Sequence, residues 1–111
     1  MKKSELYNLI NARQNFTYCK DQKRYVIGTT NVYTGKGIPS NINVTIQNSL
    51  LELKKSKQMT FGGWLDTETD LYYLDIGFSL NCKDTALALA NSAKQICIYD
   101  SKENKTINTK K

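Results

Sequence analysis

The sequence predicts an α+β fold: a mostly antiparallel sheet with about three helices on one face and a C-terminal β-α-β crossover. Three observations carry this expectation. Two strand-like runs, TFGGWLD and LYYLDIGFSL, flank the polar tetrad Thr67-Glu68-Thr69-Asp70. Apolar residues recur at helical spacing in NINVTIQNSLLELKKS, and an alanine-rich segment separates LYYLDIGFSL from ICIYD. A chain of 111 residues suffices for one modest core, so a single domain over 1–111 is expected, with a frayed basic tail near 108–111.

Taken in order, Ser4 can open a short helix in which Leu6, Leu9, Ile10 and Arg13 share a face. Residues 16–20 and 24–34 hold Phe, Tyr, Val, Ile and Thr in short runs and read as strands, ending at Thr34-Gly35-Lys36-Gly37. After Pro39 and Ser40, Ile42, Ile46, Leu50 and Leu53 form one helical stripe. Val44 and Leu51 point the other way, and packing against the N-terminal helix is the expectation for them, with a partner interface as the alternative.

The hairpin is the strongest local signal. In its second strand Tyr72, Leu74, Ile76, Phe78 and Leu80 alternate with Leu71, Tyr73, Asp75, Gly77 and Ser79, so the even-numbered face is expected in the core. Asn81 or Asp84 can cap the next helix, whose Ala86, Ala90 and Ala93 form a small-residue seam beside Leu87 and Leu89. Ile96 and Ile98 then return to the sheet, and a short edge strand around Thr106–Asn108 follows.

Symmetric pairing about Glu68 and Thr69 sets Trp64 opposite Tyr73 and Gly62 opposite Asp75, all on the odd-numbered side of the second strand. An aromatic patch beside a carboxylate and a glycine gap is then available for recognition. The competing expectation is structural: a further helix covers Trp64 and Tyr73, and Asp75 bonds a neighbour at the edge.

Composition narrows the chemistry. The chain has no histidine, so histidine-dependent catalysis is excluded. Cys19, Cys82 and Cys97 lack CxxC spacing and read as free thiols, and no metal or cofactor is expected. No secretory signal or apolar run of about 18 residues appears, which favours a cytoplasmic, non-membrane protein. Gly35-Lys36-Gly37 lacks the rest of a Walker A loop. The run Asp66 to Asp70 has the alternating carboxylates of a calcium loop, but Leu71 stands where glycine is needed and Gly77 where the bidentate glutamate is needed. Asp75 with Glu68 is a formal carboxylate pair without any accompanying catalytic signature, so no catalytic residue is assigned.

The formal charge of +6 is uneven along the chain: residues 1–60 carry 10 basic and 3 acidic residues, 61–100 carry 2 and 6, and 101–111 carry 4 and 1. Both signs fit a heteropolar protein-binding surface better than a uniformly cationic nucleic-acid track. The expected partner-binding residues are Trp64, Tyr73, Asp75, Gly62, Lys36, Lys54 and Lys55. RNA or single-stranded DNA, held by phosphate contacts and base stacking, is one alternative partner. A small ligand and a second copy of the chain are the others.

The segment GGWLDTETDLYYLDIGFSLNCKDTALALANSAKQICIYD, with NVYTGKGIP before it, resembles a recurrent segment in small, largely uncharacterised proteins from phages and mobile elements of Gram-positive bacteria. The likeness covers roughly residues 31–107. It implies a non-enzymatic counter-defence protein that binds and inhibits a host protein or defence complex, such as a nucleic-acid-guided one.

Overall fold

The computed structural model describes residues 2–109, which form six strands and three helices. They are α1 (Lys3–Asn11), β1 (Phe16–Cys19), β2 (Tyr25–Gly35), α2 (Ile42–Leu53), β3 (Met59–Asp66), β4 (Leu71–Leu80), α3 (Lys83–Ser92), β5 (Cys97–Asp100) and β6 (Lys105–Asn108). The strands make one sheet in the order β1-β3-β4-β2-β5-β6, and every described pairing is antiparallel.

The expected C-terminal β-α-β crossover is not evident. β4 and β5 are not paired with each other, because β2 lies between them and pairs antiparallel with both. Tyr25 and Val26 face Leu80 and Ser79 on one side and Asp100 and Tyr99 on the other. Nothing local to residues 71–99 encodes that insertion. It is sealed by a pair far apart in sequence, in which Arg24 Nε and Nη2 donate to Asp100 Oδ1 (2.9 Å) and Oδ2 (2.8 Å).

Helix starts follow local chemistry with two departures from expectation. The N-cap of α1 is Lys2, two residues before Ser4, with the Lys2 amide donating to Glu5 Oε1 at 3.4 Å. The N-cap of α3 is Cys82, since Asn81 Oδ1 instead accepts from the Arg24 amide (3.2 Å). The N-cap of α2 is Asn41, whose Oδ1 accepts from the Val44 amide at 3.2 Å.

All three helices lie on the even-numbered side of β4. Leu6 and Ile10 of α1 and Ile42, Ile46 and Leu53 of α2 pack with Phe61, Tyr72, Leu74 and Ile76. Ala86 and Ala90 of α3 pack with Tyr25, Ile27 and Ile98, where the lack of bulk lets the helix approach the sheet. Tyr72 is fully buried, and its hydroxyl donates to the Gln14 carbonyl at 2.8 Å.

Three apolar residues do not follow the packing expected of them. Val44 and Leu51 stay exposed on α2, since α1 meets that helix on its other stripe. Ile96 is 79% exposed, because α3 ends with Lys94 at a φ of 58° and β5 begins only at Cys97, so Ile98 alone of the pair enters the core. At the C-terminal edge Thr109 Oγ1 donates to the Gln95 and Ile96 carbonyls at 2.8 and 3.0 Å. The expected fraying at 108–111 falls partly on residues 110–111, outside those described. No described helix is long and apolar enough to cross a membrane.

Candidate functional site

With the helices on one side, the other face of the sheet carries Thr60, Gly62 and Trp64 of β3 opposite Gly77, Asp75 and Tyr73 of β4. The hairpin register is the symmetric one. Its turn is held by Asp66 Oδ1, which accepts from the Glu68 amide at 3.0 Å, and by Asp70, which takes the left-handed φ of 59° that aspartate tolerates. Arg13 clamps the turn from outside, with Nη1 donating to Asp70 Oδ1 (2.8 Å) and to the Lys36 carbonyl (2.9 Å).

This face is closed at one end and open at the other. Thr60 and Ser79 are buried although no helix covers them. The β1–β2 connection crosses there, and the Lys23 amide donates to Ser79 Oγ at 2.8 Å. Toward the hairpin turn the face is uncovered. Trp64 is 51% exposed and stacks on Tyr73, with ring centroids 5.5 Å apart and planes inclined by 28°. Neither ring belongs to the core clusters, so the covering helix of the structural expectation is absent among the described residues.

Asp75 sits between this aromatic pair and β2. Two bulges in β2, between Gly28 and Thr30 and between Asn31 and Tyr33, set Asn31 opposite Asp75. Asn31 Nδ2 donates to Asp75 Oδ1 (3.2 Å) and to Thr34 Oγ1 (2.9 Å). Partial burial pushes the Asp75 carboxyl above its usual range, an effect the Asn31 hydrogen bond opposes. Among the described residues no lysine or arginine lies within 4.0 Å of it. Glycines surround the carboxylate: Gly62 is directly across β3, and a Cβ built on Gly28 would lie 3.5 Å from Asp75 Cβ. Asn31 had no legible signal in sequence, since its aim depends on the bulges.

The structure therefore brings Gly62, Trp64, Tyr73 and Asp75 together. Lys36 follows β2 and is tied to the hairpin turn through its carbonyl, near the open end. Lys54 and Lys55 are not part of this patch. They end α2 in the helix layer, beyond the start of β3 and so more than about 16 Å along the strand from Trp64. Lys55 Nζ is also paired with Glu52 at 2.9 Å.

Both signs occur at each end of the strands, with cations more numerous where β3 begins and carboxylates at the hairpin turn, where Arg13 and Lys36 also lie. Lys20, Lys23, Arg24, Lys54, Lys55 and Lys57 gather at the end where β3 begins, and Asp66, Glu68 and Asp70 ring the hairpin turn. Beside the first group, Arg24, Lys83, Asp100, Glu103 and Lys105 line a shallow groove of about 560 Å³. Asp100 is buried there and held well below the usual carboxylate range by the Arg24 guanidinium. All three cysteines are free.

No protein-family model, curated protein or solved structure matches the chain.

Proposed function

We propose that this protein acts by association rather than turnover, docking the open end of its sheet on a larger bacterial protein and blocking it, as a counter-defence protein of a phage or mobile element would. The observation that carries this reading is the stacked Trp64–Tyr73 pair, uncovered on the one sheet face that has no helix layer. Tryptophan and tyrosine at the centre of a patch supply large, rigid contact area and dominate binding energy where a partner excludes water from them. The surrounding charges add selectivity: the mixed set at the hairpin turn, Asp66 and Glu68 with Arg13 and Lys36, favours a partner with the complementary pattern.

The geometry gives little support to acid–base chemistry. Glu68 lies in the turn, whereas Asp75 lies seven residues later in sequence, four positions past Leu71 at the start of β4 and opposite Gly62. The strand from Leu71 to Asp75 alone spans about 13 Å, beyond the separation at which two carboxylates act on one bond. A nucleic-acid reading keeps the aromatic pair as a stacking platform, but most of the lysines that would neutralise phosphate are at the far end of the strands, Lys36 being the exception near the open end, Arg13 is paired with Asp70, and Asp75 repels phosphate locally.

The test is a pulldown from the bacterial host followed by calorimetric titration of the recovered protein. Trp64→Ala and Tyr73→Ala, each verified as folded by circular dichroism, are expected to weaken binding at least 10-fold relative to the parent (about 1.4 kcal/mol or more). Unchanged affinity in both variants rejects this face as the interface. Binding to single-stranded oligonucleotides that falls steeply with added salt favours the nucleic-acid reading instead.

A further inference from the structure

We infer that the open face receives an arginine side chain of the partner protein, its guanidinium lying against Trp64 and pairing with Asp75. This rests on the reading of that face as a protein interface and names what the interface recognises.

The first support is an electrostatic mismatch within the chain. Asp75 is half-buried in a protein of net charge +6, yet no described lysine or arginine pairs with it. Its one side-chain hydrogen bond among the described residues comes from Asn31, to Oδ1, which leaves Oδ2 free of such a donor. A partly desolvated carboxylate gains most from a cation that arrives with its own hydrogen-bond donors. By contrast, Asp100 is fully served by Arg24 and by the Lys102 and Glu103 amides at 3.1 and 3.3 Å. The same fold thus satisfies one of these carboxylates internally and leaves the other with Oδ2 lacking a side-chain donor, beside the side-chain-free Gly28.

The second support is shape. Trp64 and Asp75 are diagonal neighbours on one face, since Trp64 is opposite Tyr73 and Gly62 is opposite Asp75. Such diagonals are about 7–8 Å apart, a gap that a flat group can bridge. Gly62 contributes no side chain to that gap; Thr17 of β1 is opposite Gly62, with its Oγ1 4.0 Å from where a Cβ would stand, but the β1 pairing stops at Gly63, so no residue of β1 pairs with Trp64. An aromatic wall, a carboxylate oxygen without a side-chain donor and a glycine between them, flanked by the Thr17 hydroxyl, match a planar cation with a fork of donors. Lysine satisfies the charge but not the stacking plane, and a neutral ring satisfies the plane but not the carboxylate.

The probes are acetyl-Gly-Arg-Gly-amide and its citrulline counterpart, which has the same shape without the charge. Trp64 is the single tryptophan, so intrinsic fluorescence reports directly on the site. The arginine peptide is expected to give a saturable fluorescence change in the millimolar range, at least about 5-fold tighter than the citrulline peptide. Asp75→Asn keeps the side-chain shape and an acceptor for Asn31, and it is expected to erase the difference between the peptides. Equal responses to the two peptides, or a preference that survives Asp75→Asn, overturns the arginine site. The partner titration separates the two failures. A host protein whose binding is lost in Trp64→Ala but unchanged in Asp75→Asn leaves the interface standing and removes the arginine. An arginine-selective peptide response, with a host protein that binds Trp64→Ala as well as the parent, retains the arginine site and removes this face as the docking surface.

Discussion

Trp64 stacks on Tyr73 across the β3–β4 hairpin, and half of the indole remains open to solvent. Cross-strand aromatic pairs stabilise sheets by about 0.5–1.5 kcal/mol beyond the area they bury. That contribution is small enough for Trp64→Ala to remain folded. Chemical denaturation of the variant is expected to give a loss of about 1 kcal/mol, and a loss several times larger would mark Trp64 as a core residue.

Asp75 gives a pH-dependent prediction with a definite sign. Burial raises its folded-state pKa above the unfolded value, so the folded protein binds this proton more tightly. The fold keeps that advantage below the ordinary carboxylate pKa and loses it as pH rises through the raised value. Facing positions on β2 and β3 are Asn31 and Gly62, which do not titrate. Asp75→Asn is therefore expected to be slightly more stable than the parent at neutral pH, by less than about 1 kcal/mol because the group still touches solvent. The difference vanishes in acid, and denaturation midpoints measured across pH check it.

Asp100 carries the opposite sign. Arg24 lowers its pKa in the folded state, so its contribution is complete above the unfolded pKa near 3.8 and is lost as pH falls toward the folded value. Asp100→Asn is expected to lower the melting temperature at neutral pH by ~5 °C or more, with the gap to the parent closing in strong acid. A gap independent of pH would show that the carboxylate charge is not what holds β2 beside β5.

Gly77 and Gly28 face each other across β4 and β2, yet they differ in what they tolerate. A Cβ on Gly77 would collide with the Ile27 carbonyl, whereas one on Gly28 would make ordinary contact with Asp75. Gly77→Ala is expected to cost about 2 kcal/mol or more and Gly28→Ala less than about 1 kcal/mol. Thermal or urea unfolding of the two variants provides the comparison.

Tyr72 is buried with its hydroxyl on the Gln14 carbonyl, and burial pushes its pKa up to about 12. Tyr72→Phe is expected to lose about 1 kcal/mol, since the Gln14 carbonyl loses its donor. The parent should also lose stability as pH rises from about 10 to 12, through the range in which the unfolded chain ionises first, and the variant should not share that loss.

These relationships were unevenly visible in the sequence. The Trp64–Tyr73 and Gly62–Asp75 pairings follow from strand alternation and a symmetric turn, both local, and the Ile42–Ile46–Leu53 stripe follows from helical spacing. The placement of β2 between β4 and β5 brings Arg24 to Asp100, 76 residues away, and no local pattern encodes it. The bulges that aim Asn31 at Asp75 are likewise set by the neighbouring strand. Lys54 and Lys55 shared a charge block with other lysines in sequence, but the helix layer takes them away from Trp64.

The central claim is that the uncovered aromatic pair is where a partner binds, and the affinity of folded Trp64→Ala for the protein recovered from the host tests it most directly. A Kd at least 10-fold weaker than the parent's is expected. An equal Kd would contradict it.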